Sequence, residues 1–142
     1  MLKDRRFIIF FLAVLTFCFC YPGFILAADT DVSRIYGSNR YRTAAKLSED
    51  AWEDSNYVVL ATGEDFPDAL TGVPLSKAYS CPLLLTESDE LSSYAEEEIN
   101  RLEAETCFIL GGTGAISADV VDEILDNTTV TQVIRIGGED RY

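Results

Sequence analysis

The sequence predicts an α/β fold of three layers, with a mainly parallel sheet held between helices. Two observations carry that prediction. Short runs such as Tyr57-Val58-Val59-Leu60-Ala61 are apolar at every position, as in strands buried on both faces of a parallel sheet. These runs also alternate strictly with segments of helical period, an order that calls for right-handed crossovers and helices on the sheet faces.

Residues 1–28 read as an export signal. Lys3, Arg5 and Arg6 form a basic head, an apolar run follows from Phe7, Pro22-Gly23 breaks it, and Ile25-Leu26-Ala27-Ala28 offers small residues for a peptidase. The competing reading is a retained anchor, since residues 7–26 are about long enough to span a bilayer. A lipoprotein cysteine fits less well, because the bulky Phe17 precedes Cys18. The remaining residues suffice for one domain with a real core and are too few for two.

The elements of that domain follow in order. A helix starts at Asn39, a plausible cap, with Tyr41, Ala44, Ala45, Ser48, Ala51 and Trp52 on one stripe. The first strand covers residues 57–61, and Thr62-Gly63-Glu64-Asp65-Phe66 turns the chain into a helix from Pro67 to about Ala78. Pro74 lies inside that segment and should end or kink it. Pro82-Leu83-Leu84-Leu85-Thr86 is the second strand, followed by a helix over 88–102. The third strand, Cys107-Phe108-Ile109-Leu110, runs into Gly111-Gly112-Thr113-Gly114. Ser117 then caps a helix whose Val120, Val121, Ile124 and Leu125 face inward, and a fourth strand covers 129–136. In such sheets the ligand-binding loops lie beyond the strands' carboxyl ends, where Thr62-Gly63-Glu64-Asp65, Thr86-Glu87 and Gly111-Gly112 all fall.

Charge narrows the function. The chain carries a net −13, and the first 28 residues contribute +2 of their own, so the remainder is more acidic still. Duplex nucleic acid is a poor partner for such a surface. The cations are unevenly placed: Arg34, Arg40, Arg42, Arg135 and Arg141 cluster in or beside one repeated motif. Arginine presents a planar fork suited to carboxylate or phosphate, so the cluster is either an anion site or a set of ion pairs between repeats. No histidine is present, which removes the commonest general base, the usual zinc ligand and any Ser-His or Cys-His pair from this segment. After residue 28 only Cys81 and Cys107 remain, either as a disulfide or as two buried thiols.

Two further segments invite chemistry. Gly111-Gly112-Thr113-Gly114 resembles a phosphate-cradling turn. Ser117 replaces the third glycine, however, and Arg135 stands where an acidic ribose partner belongs, so a tight turn explains the glycines better and no cofactor is expected. Glu64, Asp65 and Asp68 could act as a hydrolytic carboxylate pair or hold a hard metal. Asp68 lies in the first turn of a helix, where carboxylates are stabilised regardless of function, and is expected to pair structurally with a motif arginine. Glu96-Glu97-Glu98 reads as a solvated face.

Arg34-Ile35-Tyr36-Gly37-Ser38-Asn39-Arg40-Tyr41 returns as Arg135-Ile136-Gly137-Gly138-Glu139-Asp140-Arg141-Tyr142. The expected organisation is therefore a signal over 1–28, one complete repeat over 29–134 and the start of a second over 135–142. Five segments in order resemble the type-two cell-wall-binding repeat of Gram-positive surface proteins. These are residues 34–44 around Arg40, Arg42 and Thr43, A-T-G-E-D-F-P-D-A-L at 61–70, P-L-L-L-T at 82–86, F-I-L-G-G-T-G-A-I-S at 108–117, and R-I-G-G-E-D-R-Y at 135–142.

The resemblance implies a small Rossmann-like or toprim-like unit that packs with neighbouring repeats of the same chain as a pseudo-trimer. It also implies a secreted, non-catalytic anchor on an anionic wall polysaccharide or teichoic-type polymer at the cell surface. Pro82, Leu83, Leu84 and Leu85 would stand in the family's polymer-binding Pro-Ile-Leu-Leu segment, with Leu83 replacing its Ile. Arg34, Arg40, Arg42, Arg135 and Arg141 would make repeat junctions or anion contacts, while Thr43, Asp68, Gly111 and Gly112 would be structural. The alternatives are an extracellular hydrolase using Glu64, Asp65 or Asp68, and a purely structural assembly repeat.

Overall fold

Four parallel strands lie in the order β2-β1-β3-β4: β1 Tyr57–Thr62, β2 Leu83–Thr86, β3 Thr106–Leu110 and β4 Gln132–Ile136. Helices α1 (Arg40–Ala51), α2 (Phe66–Thr71), α3 (Val73–Tyr79), α4 (Ser93–Leu102) and α5 (Ala118–Asn127) complete the alternation. The structure is a computed structural model describing residues 32–138. The chain divides into two units, 1–33 and 34–142, and all the described residues but Val32 and Ser33 belong to the second. The signal expected over 1–28, and Arg141 with the rest of 139–142, lie outside the described residues. Among the described residues no helix is long and apolar enough to cross a membrane.

The strand order dictates the layers. From β1 the chain moves outward to the edge strand β2, then returns across β1 to β3 and continues to β4. Right-handed crossovers in opposite directions place their helices on opposite faces. Accordingly, α4 and α5 cover one face over Leu60, Leu84, Ile99, Ile109 and Ile124, with Trp52 at the end of α1 packed beside them. The short α2 and α3 cover the other over Val59, Ala61, Phe108 and Leu110. That second layer is thin: Phe66 is 72 % exposed and Leu70 64 %.

Local chemistry shifts several expected boundaries. The single helix from Pro67 to Ala78 is two helices divided at Gly72, just ahead of Pro74. Gly72 is fixed by space, since a Cβ there would stand 2.3 Å from Leu110 Cδ1. The following helix begins at Ser93 rather than near 88. Thr86 Oγ1 accepts from the Ser92 amide at 2.8 Å and donates to the Glu90 carbonyl at 2.9 Å, closing 87–92 as a loop. The last strand begins at Gln132, because the Thr129 amide is held by Asn100 Oδ1 at 3.0 Å and the Thr131 amide by the Glu105 carbonyl at 2.9 Å. Its span, Gln132–Ile136, crosses the repeat boundary expected at 134, so Arg135 and Ile136 belong to this unit's sheet.

Two side chains also depart from expectation, and the alternatives for the cysteines are resolved. Leu125 is 44 % exposed, leaving Val120 and Ile124 buried and Val121 packed partly against the core as the inward stripe of α5. Glu98 is buried rather than solvated, because Arg101 meets both its carboxylate oxygens at 2.8 and 2.7 Å. Arg101 also donates to the Glu53 and Trp52 carbonyls, which fastens the end of α1 to α4. Cys81 and Cys107 are free, buried thiols in core clusters on opposite faces, so they form no bridge.

Candidate functional site: a switch-point cleft and a cationic tyrosine patch

Crossovers leave β1 and β3 in opposite directions, so a crevice opens beyond their carboxyl ends. A cleft of about 1000 Å³ lies there, lined by Thr62, Glu64, Asp65, Asp68, Ser88 and Gly111 among others. Its carboxylates hold local structure. Asp65 Oδ1 accepts from the Phe66 amide at 3.0 Å and caps α2. Ser88 Oγ donates to Glu64 Oε2 at 3.0 Å and sits 3.2 Å from Thr62 Oγ1. Asp68 Oδ2 lies against Gly111, 2.5 Å from where a Cβ would stand. Among the described residues the expected pairing of Asp68 with a motif arginine is not observed. The ion pairs among the described residues are Arg42–Glu49 and Arg101–Glu98.

Arg135 holds the glycine turn that lines the cleft. Its guanidinium donates to the carbonyls of Gly111 (3.2 Å), Gly112 (3.1 Å) and Ser117 (3.3 Å). The Gly111 amide donates in turn to the Ile136 carbonyl at 2.8 Å, and Gly111 adopts φ +92°, a conformation that glycine reaches without strain. Gly112 is exposed, with open space where a side chain would be. The β3–α5 turn is thus pinned from β4, and the positive charge of Arg135 faces main-chain oxygens. Among the described residues no three carboxylates or thiols converge as metal ligands.

At the neighbouring corner, Arg40 donates to the Gly63 carbonyl. Tyr41 packs so closely on Gly63 that a Cβ there would meet its ring at 2.4 Å. Burial first and the charge of Glu87 next push the Tyr41 hydroxyl's pKa upward; Arg40 opposes them, and Glu64 adds the least. This rim is acidic in character.

A second group of cations, the exposed Arg34 and the half-buried Arg42 and Lys46, lies on and just before α1. The Tyr36 ring lies between Arg34, 5.3 Å from its centroid, and Lys46 at 5.8 Å. Arg42 lies 5.4 Å from the Tyr94 centroid and pairs with Glu49 at 3.3 Å. Arg34, Tyr36 and Lys46 line a shallow depression of about 440 Å³ together with the carboxylates of Glu49 and Asp50. Thr43 fixes the approach to it: its hydroxyl accepts from the Gly37 amide at 3.0 Å and donates to the Asn39 carbonyl at 2.8 Å. Pro82 and Leu84 are wholly buried, while Leu83 and Leu85 are half-buried on the thin face. Arg34 and Arg42 therefore join one patch, whereas Arg40 and Arg135 are turned to main-chain carbonyls. Sequence reasoning missed Lys46 and Tyr94. The i, i+4 spacing of Arg42 and Lys46 was a readable signal for the first, but nothing local marks Tyr94, which arrives from another helix.

The family model for cell wall binding domain 2 (CWB2) matches residues 34–121, from the first arginine motif into α5. The chain belongs to that family. At this level its function is cell wall binding, with a place at the cell wall or surface. It is 34 % identical over 137 residues to N-acetylmuramoyl-L-alanine amidase LytC of Bacillus subtilis, a match covering 93 % of this chain and 27 % of that protein. It is 35 % identical over 109 residues to the amidase enhancer of the same organism, covering 77 % of this chain and 15 % of the relative. The chain thus spans about a quarter or less of these relatives. Among solved structures, Cwp6 from Clostridium difficile superposes with a TM-score of 0.72 and 30 % identity over 81 % of this chain and 20 % of Cwp6. Cwp8 from the same organism, at TM-score 0.67 and 24 % identity, covers 78 % of this chain and 18 % of its own, and shares the fold.

Proposed function

We propose that the domain is a non-catalytic anchor that holds a secreted protein to an anionic wall polymer, a secondary polysaccharide or teichoic-type acid. The grouping of cations with aromatic rings carries this reading. Among the described residues the switch-point cleft is lined by carboxylates without a cation, where they would repel an anionic chain, while on the α1 side Arg34, Arg42 and Lys46 stand with Tyr36 and Tyr94 and offset the nearby Glu49 and Asp50. Cations offer phosphate or carboxylate charge-assisted hydrogen bonds, and the exposed ring of Tyr36 offers a sugar an apolar face. Leu83 and Leu85 add part-exposed apolar surface; Pro82 and Leu84 serve by fixing their strand. The engaged roles of Glu64, Asp65 and Asp68, in a chain without histidine, support binding over hydrolysis.

In this reading residues 1–28 direct export, and neighbouring repeats multiply weak contacts by making later ones intramolecular. Retention of the chain on isolated walls tests the proposal. Replacing Lys46 and Arg42 with alanine should lower retention several-fold, and salt near 1 M, where screening acts within about 3 Å, should release the wild-type chain. Asp68→Asn should leave retention unchanged. Charge-independent, salt-resistant retention would overturn the polymer assignment, and wall cleavage abolished by Asp68→Asn would establish the hydrolase instead.

A further inference from the structure

The two copies of the arginine motif occupy different structural positions. Gln132-Val133-Ile134-Arg135-Ile136 is the fourth strand, beside β3. Asp31-Val32-Ser33-Arg34-Ile35 carries the same valine, arginine and isoleucine in the same order. Residues 32–37, however, are in no strand, and both Val32 and Arg34 are exposed.

Each shared residue has a defined task in the sheet. Val133 packs on the core beneath α4 and α5, Arg135 clamps the carbonyls of Gly111, Gly112 and Ser117, and the Ile136 carbonyl accepts from Gly111. Where the copies differ, Ser33 replaces Ile134, which is only half-buried on the thin face. The family match runs from Arg34 and stops within α5, ahead of β4. A repeat counted from motif to motif therefore holds three strands, and takes its fourth from the start of the next motif.

We propose that residues 32–35 are a donor strand that completes the sheet of another unit of this same fold whose fourth-strand position is open. The donor lies parallel to that unit's β3, with Arg34 clamping its glycine turn as Arg135 does here. One feature limits its length. Tyr36 stands where Gly137 passes the Gly111 backbone, and a Cβ at 137 would come within 3.0 Å, so the donor leaves the sheet after Ile35. In that state Arg34 is withdrawn from the Tyr36 patch, and Lys46 and Arg42 remain for polymer.

The test uses the full chain with Val133→Asp and Ile134→Asp, which frees the position beside β3. A peptide of residues 31–36 should raise the melting temperature of this variant saturably and leave the wild type unmoved, and the same peptide with Arg34→Ala should lose the effect. A peptide of residues 131–136 serves as the reference. Rescue by the reference peptide without rescue by 31–36 would overturn the proposal. So would equal binding of 31–36 to the wild type, which would place it on the outer edge of β4. If neither peptide acts, the full chain with Gln132→Asp and Ile134→Ser decides, because its fourth strand then has the donor's sequence. Cooperative folding of that chain supports the fit, and failure to fold rejects it.

Discussion

Arg135 shows how little a residue's type reveals about its task. Its guanidinium, expected at a repeat junction or an anion contact, is shared among three main-chain carbonyls of the turn after β3 and the start of α5. Gly111 is the complement of that arrangement. At φ +92°, with Asp68 Oδ2 and Ala115 Cβ within 2.8 Å of a built Cβ, it has neither the conformation nor the room for a side chain. Gly111→Ala should therefore cost about 2 kcal/mol, through left-handed backbone strain and displacement of Asp68. Denaturant unfolding measures this, and an unchanged midpoint would reject the account. Glu98 teaches the reverse lesson: a run of glutamates reads as solvated, yet one member is buried because Arg101 happens to reach it.

Among elements, helix starts were legible where a capping residue acts locally, and illegible where a distant one does. Asn39 and Ser117 cap α1 and α5 through their own side chains, as their position before an apolar stripe predicts. The start of α4 is set by Thr86, a strand residue whose hydroxyl holds the Ser92 amide and reaches the Glu90 carbonyl. Thr86→Val preserves shape and removes both bonds at a buried site. The expected loss is roughly 1–3 kcal/mol, with faster amide exchange across 87–93 as the local signature. Uniform loss of protection without that local change would place the effect in the strand rather than the loop. The split between α2 and α3 has the same character, since Pro74 announced a break and the packing of Gly72 against Leu110 located it.

At the scale of the whole molecule, the thiols report on the core. Burial pushes Cys81 up to about 11, and pushes Cys107, which also feels Cys81, up to about 12. Unfolded thiols ionise near roughly 8.5, so above that pH the unfolded chain binds fewer protons than the native one. Stability is then full below that value and falls as pH rises toward the native pKa values. Denaturation midpoints should drop between about pH 8.5 and 11, and the drop should be shallower in Cys107→Ala. Parallel slopes in the two chains would show that the buried thiol is not linked to unfolding. The same burial protects native Cys81 and Cys107 from alkylation.

The sequence by itself determined the α/β alternation, the parallel sheet, the loops that carry polar residues and the family, because each is written in local period and in motifs a few residues long. Helix and strand periods are short-range properties, and a buried strand declares itself by being apolar throughout. Only the tertiary structure decided which arginines turn to main-chain carbonyls and which to tyrosine rings, which glutamate is buried, and to which sheet Arg135 and Ile136 belong. Those outcomes depend on partners far along the chain: Gly111 for Arg135, Tyr94 for Arg42, Trp52 and Glu53 for Arg101. A guanidinium bonds whatever oxygen the fold brings within about 3 Å, and that proximity is a property of the packed sheet.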